Sequence, residues 1–235
     1  MNESGSSEAL LRKIHRDEVT GMVKSTWDLV REAIQSGRTN EALELMEHGL
    51  DEATKQHNSL VSFVGMALNH LARFGEEELE KLYRERYGAL AQDLISSTPG
   101  AKESAEWFAR AMESPYSKIT ITEEPDRYVL SVDPCRTGGR LRRGISVLSV
   151  KLADVSIGTT KKAYPWCWGK SGVPYYCVHD CLFLEIIPIE LRGYPIAVVQ
   201  YPQKPEDSCV FFFYKKPELI PEEYFTRVGK TKTIK

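Results

Sequence analysis

The sequence predicts an α+β protein: a helical region over residues 1–112, then an antiparallel sheet with embedded helices forming a ligand-binding domain over residues 113–235. Three observations predict it. Apolar residues recur at helical spacing from about residue 8 to about residue 113. Beyond that point the pattern changes to short β-branched and aromatic runs bounded by turn residues. All five cysteines, Cys135, Cys167, Cys177, Cys181 and Cys209, fall in the second half.

In LLRKIHRDEVTGMVKSTWDLVREAI, the apolar positions Leu11, Ile14, Met22, Val23, Val30 and Ile34 predict a first helix. Gly37 suits its C-terminal stop, and Thr39 or Asn40 suits the next N-cap. EALELMEHGLDEATKQHNSLVSFVGMALNHLARF carries a second helical pattern, expected to break near Gln56 to Asn58. A third helix, EEELEKLYRERYGALAQDLI, ends before the run Ser96, Ser97, Thr98, Pro99 and Gly100, and a short fourth, KESAEWFARAM, follows. KITIT and RYVLSV, joined by EEPD, predict a hairpin with Pro125 and Asp126 as turn formers. PIAVVQYP and CVFFFYK, joined by QKPEDS, predict a second pair of strands, apolar on both faces. The stretch from about 145 to about 195 is ambiguous; LFLEIIPIEL starts like a helix that Pro188 limits.

A chain of 235 residues suits one large domain or two modest ones. Its 42% hydrophobic and 27% charged residues are ordinary for a soluble globular protein. A net charge of −2 argues against a general nucleic-acid binder, which would carry a broad basic excess. No apolar run approaches the roughly 20 residues of a membrane span. The start, MNESGSSEALL, lacks the basic-then-apolar pattern of a signal peptide and reads as a disordered lead-in. An odd cysteine count without such a signal points to reduced thiols and a cytoplasmic location. The expected partner is a small-molecule substrate or ligand, with neither nucleic acid nor membrane, and a homo-oligomer is compatible with the chain.

Three segments carry candidate chemistry. DPCRTGGRLRRG, residues 133–144, follows a predicted strand; Pro134 and the Gly138–Gly139 pair demand a tight backbone path. Cys135 would stand at the strand end, and Arg136, Arg140, Arg142 and Arg143 add positive charge that lowers a thiol pKa and attracts an anion. Arg136 and Arg140 are the candidates for a substrate carboxylate. The glycines fit neither the P-loop nor the dinucleotide pattern. YPWCWGKSGVPYYCVHDC, residues 164–181, is rich enough in aromatics to wall a pocket, with Trp166, Trp168, Tyr175 and Tyr176 as candidate lining residues. Core capping is the plain alternative for each of them.

Within that segment, Cys177, His179 and Cys181 alternate. On a strand they would share one face, with Asp180 on the other; on a helix Cys177 and Cys181 would share a face and His179 would point elsewhere. They are candidate ligands for zinc or iron together with Cys135 or Cys209, although C-x-H-x-C is not a common zinc spacing. Equally, Cys135 or Cys177 is a candidate nucleophile with His179 as its base, or the cysteines are core, where Cys is at home. In the third segment, EDSCVFFFYK, Cys209 opens an apolar strand and reads as core or site. His15, His48, His57 and His70 sit among charged or amphipathic positions and read as surface or core-edge residues.

The Pro134–Cys135 pair after a strand, Tyr176–Cys177 before an aliphatic helix, and Asp207, Cys209 and Phe211 on a terminal strand form a sparse pattern over about residues 113–216. It resembles the L-2-amino-thiazoline-4-carboxylic acid hydrolase family and, more distantly, the 4-vinyl reductase type of small-molecule-binding domain. The order Pro134–Cys135 in place of cysteine then proline, the double glycine and the PWCWGKSGVPYYC insert depart from that pattern. The resemblance implies an α/β ligand-binding fold, hydrolysis of a carbon–nitrogen bond in a small ring, and, from the binding domains, metal held by cysteines. The resulting expectation is a hydrolase or lyase acting on a C–N or C–S bond. Its alternative is a non-catalytic small-molecule or metal-binding sensor.

Overall fold

The computed structural model describes residues 24–98, 100–114, 117–143 and 157–234. The readings made on residues 1–23, and on most of the ambiguous stretch before residue 157, lie outside the described residues. The chain forms an α+β fold, helices first and a four-stranded antiparallel sheet after them. Compactness divides it into two units, one up to Ser59 and one from Leu60 onward. The helix-to-sheet change falls between Met112 and Lys118.

In the first unit, α1 (Thr26–Gln35) is capped by Ser25, whose hydroxyl accepts the Asp28 N–H at 3.1 Å. Gly37, at φ +72°, takes the left-handed turn that only glycine adopts cheaply. A small core of Val30, Ala33, Ala42 and Leu45 holds α1 to the start of α2 (Thr39–Leu71). The expected break near Gln56 to Asn58 is absent: α2 is a continuous helix of 33 residues. Those residues are polar, but none is Gly or Pro, and polarity alone does not interrupt the i→i−4 ladder.

In the second unit, α3 (Glu77–Ser97) follows a 3₁₀ turn at Ala72–Phe74, and α4 (Ala101–Met112) leads into the sheet. The strands are β1 (Lys118–Glu123), β2 (Arg127–Asp133), β3 (Val198–Gln200) and β4 (Cys209–Tyr214), in spatial order β1-β2-β4-β3. Both expected hairpins form, and β2 pairs β4 with Val132 opposite Cys209. On β4, Cys209, Phe211 and Phe213 are buried, while Val210, Phe212 and Tyr214 are half-buried. Phe108 of α4 covers the buried face, its ring 4.6 Å from Phe211.

Between β2 and β3 the chain forms α5 (Gly138–Arg142), α6 (Val178–Asp180), a π-helical stretch (Cys181–Ile186) and α7 (Ile187–Arg192). Pro188 does not stop this helical run. It sits in the first turn of α7, where a missing N–H is tolerated. The π-helical stretch, a feature that often marks functional sites, packs against α3 and β3. No helix among the described residues is long and apolar enough to cross a membrane.

Candidate functional site

A strand end, a short helix and a helical turn converge on one cavity. β2 delivers Cys135 just past the cis Asp133–Pro134 bond. The two following glycines then allow the chain to fold back over its sulfur: Gly139 N–H donates to Cys135 Sγ at 2.9 Å, and Arg140 N–H donates to the Cys135 carbonyl at 3.3 Å. Gly138 is required by close approach. A methyl group there would collide with Cys177 Sγ and lie 3.6 Å from Cys135 Sγ. The absent Cβ is what lets two thiols from distant segments flank one residue.

The cavity is about 570 Å³, mouth included, and Cys135, Arg136, Arg142, Tyr176, Cys177, His179, Asp180 and Cys209 are among its lining residues. Cys135 is half-buried; Cys177 and Cys209 are buried. The pairing with Cys209, then the backbone N–H groups of Gly139 and Thr137, outweigh burial and pull the Cys135 thiol down to about 6. The same pairing and burial push Cys209 up. Burial, and then the charge of Cys135, likewise push Cys177 up.

Arg142 threads this cluster. Its Nη2 lies 3.3 Å from Cys209 Sγ and 3.5 Å from the Asp207 carbonyl, and its guanidinium lies 5.6 Å from the Tyr201 ring. Its Nε and Nη1 are buried and find no hydrogen-bond partner. Four positions after Gly138, it occupies the same face of α5. Sequence reasoning favoured Arg136 and Arg140 over it, and only the helical spacing of α5 could have pointed to Arg142. Arg136 does line the cavity. Arg140 is buried outside the lining.

On the opposite wall, α6 presents His179 and Asp180 together. His179 Nδ1 hydrogen-bonds the Tyr176 carbonyl. A carbonyl only accepts, so the ring carries its proton on Nδ1 and turns Nε2 toward Asp180 Oδ1, 3.2 Å away. Burial pushes the Asp180 carboxyl up, with His179 and then Arg142 pulling it back. Tyr87 stacks on the imidazole with centroids 5.7 Å apart, and Tyr176 meets it edge-on at 5.1 Å. A strand would have sent Asp180 to the far face. The helical turn instead places it beside its neighbour.

Cys181, one turn beyond Cys177, leaves the cavity. Its thiol points to the Pro165 carbonyl at 3.6 Å, and its burial is complete. Three of the four aromatic candidates are core as well. Trp166 stacks on Tyr164, Trp168 stacks on Tyr201 and donates to Glu185 Oε1 at 2.8 Å, and the Tyr175 hydroxyl donates to Glu76 Oε1 at 2.7 Å. Trp168 holds a left-handed φ of 56°, which is costly for a bulky residue; its stacking and its bond to Glu185 offset that cost. Tyr176 alone of the four lines the cavity.

Among the described residues, no three or more His, Cys, Asp or Glu side chains are arranged to hold a metal ion. The cationic position beside Cys209 is already taken by the Arg142 guanidinium. No family model, curated protein or solved structure matches this chain.

Proposed function

We propose that the chain is a small-molecule hydrolase or lyase that acts on a C–N or C–S bond of an anionic substrate, with Cys135 as its nucleophile. The supporting observation is the half-buried Cys135 sulfur at the cavity, receiving the Gly139 N–H at 2.9 Å beside the Cys209 thiol. Such a sulfur is a thiolate near neutral pH without needing a neighbouring base to remove its proton. It attacks the electrophilic carbon, and the displaced nitrogen or sulfur leaves with a proton supplied by the His179–Asp180 pair. Water then releases the acyl or imidoyl group from Cys135. Arg142, with two buried N–H groups lacking partners, and Arg136 favour a substrate carboxylate.

Iodoacetamide labelling of the full chain, read residue by residue from about pH 5 to about pH 9, tests the nucleophile. Cys135 should react first, with its rate rising through about pH 6 and levelling above it. A Cys135 that reacts no earlier than an ordinary thiol overturns the assignment. Against a panel of small-ring carboxylates with C–N and C–S bonds, Cys135→Ala and His179→Ala should each lose at least about a hundredfold in kcat/KM. A non-catalytic sensor is the second reading, because Arg142's orphaned N–H groups would hold an anion whether or not it is turned over. Saturable binding of panel members with no turnover of any would favour it.

A further inference from the structure

The proposed reaction uses one of the three thiols that meet at the cavity. The other two are placed by different elements. Cys177 precedes α6, and Cys209 opens β4 opposite Val132, three residues before Cys135 on the neighbouring strand. The strand register therefore brings Cys209 to the end of β2, where it lines the same cavity as Cys135. Arg142 Nη2, 3.3 Å from Cys209 Sγ, places positive charge against that second sulfur. A hydroperoxide entering the cavity would meet Cys135 with the Cys209 thiol in the same lining.

We propose that Cys135 and Cys209 form a hydroperoxide-sensitive thiol pair that closes to a disulfide and takes the nucleophile out of use. The Cys135 thiolate attacks the outer oxygen of the peroxide. The O–O bond breaks, and the alkoxide or hydroxide leaves and takes up a proton, giving an alcohol or water. Cys135 is then a sulfenic acid. The sulfur of Cys209 displaces its hydroxyl, which departs as water with the Cys209 proton, and the S–S bond forms. The two electrons gained by the peroxide come from the two sulfurs, and a dithiol restores both thiols by exchange. The pair rests on the same Cys135 thiolate as the proposed hydrolase but not on turnover.

The test treats the full chain with hydrogen peroxide and, separately, with cumene hydroperoxide, counts free thiols, and maps peptides without reduction. Two of the five thiols should be lost per chain in one intramolecular Cys135–Cys209 bond, and dithiothreitol should restore them. With Cys209→Ala, dimedone should instead capture a sulfenic acid at Cys135. Survival of all five thiols, a lasting sulfenic acid at Cys135 in the native chain, or a disulfide between other cysteines overturns the proposal. Early alkylation at Cys135 without a peroxide-induced disulfide overturns the pair alone. The disulfide without turnover of any panel substrate leaves the pair standing and counts against the hydrolase.

Discussion

Arg142 and Arg227 both turn a guanidinium into the interior of the second unit, and they differ in whether an acid meets it. Arg227 Nη2 meets the buried Glu185 carboxylate at 2.8 and 3.0 Å and donates to the Val199 carbonyl at 2.9 Å. Glu185 also accepts from Trp168 Nε1 and the Val199 N–H, each at 2.8 Å. Burial pushes that carboxyl up, but Arg227 and these donors pull it back. Arg142 has no carboxylate in hydrogen-bond contact, only a thiol and a carbonyl at longer range, while Arg227 too keeps its Nε buried without a partner; the difference lies in the acid. The contrast teaches how to separate the two kinds of buried charge. A cation closed by its own acid ties elements together, here the π-helical stretch, β3 and the C-terminal segment. A cation at a cavity with no acid in contact is the one proposed above to meet an anion that enters.

Replacing each arginine by methionine puts that distinction at risk. Arg227→Met leaves Glu185 buried without its cation and should destabilise the chain by about 3 to 5 kcal/mol in urea unfolding. Arg142→Met removes a buried charge that has no carboxylate in hydrogen-bond contact and should change stability by no more than about 1 kcal/mol. The same substitution should weaken binding of carboxylate ligands at least about tenfold. Equal losses of stability in the two variants would erase the comparison.

A smaller effect tests the cluster around Arg142. Gly138→Ala forces a methyl onto Cys177 Sγ and should cost about 1 to 3 kcal/mol. Because the shift disturbs the Gly139 N–H bond to Cys135, labelling of Cys135 should also need higher pH. A stable variant with unchanged labelling would show that the close approach is not needed. The smallest effect belongs to Cys181, which packs on the Glu185 side of the same segment. Cys181→Ala should cost about 1 kcal/mol and leave both the labelling profile of Cys135 and the peroxide-induced bond as they are.

Much of the architecture was legible along the chain. Helical spacing marked α2, α3 and α4, and β-branched runs with polar turns marked both hairpins. The expected break at Gln56–Asn58 failed because polarity was read as interruption where no backbone group was lost. The aromatic segment was legible as apolar but not as core. Trp168 and Tyr175 hide their polar atoms on Glu185 and Glu76, and Glu76 is almost a hundred residues from Tyr175 in sequence. Cys135, Cys177 and His179 stood out by residue type and reach one cavity. Arg142 was one arginine among four until a five-residue helix chose its face.

By itself, then, the sequence determined what local physics determines: the period of each segment, its stops and turns, and which side chains have reactive chemistry to offer. The tertiary structure alone decided which of them meet. Cys135, Cys177 and Cys209 lie on three separate segments, and their convergence depends on the β2–β4 register, the missing Cβ of Gly138 and the helical turn at Cys177. Those are long-range packing outcomes with no signature in any short window of sequence. That same packing made Cys177 a cavity thiol and Cys181, four residues on, a core one.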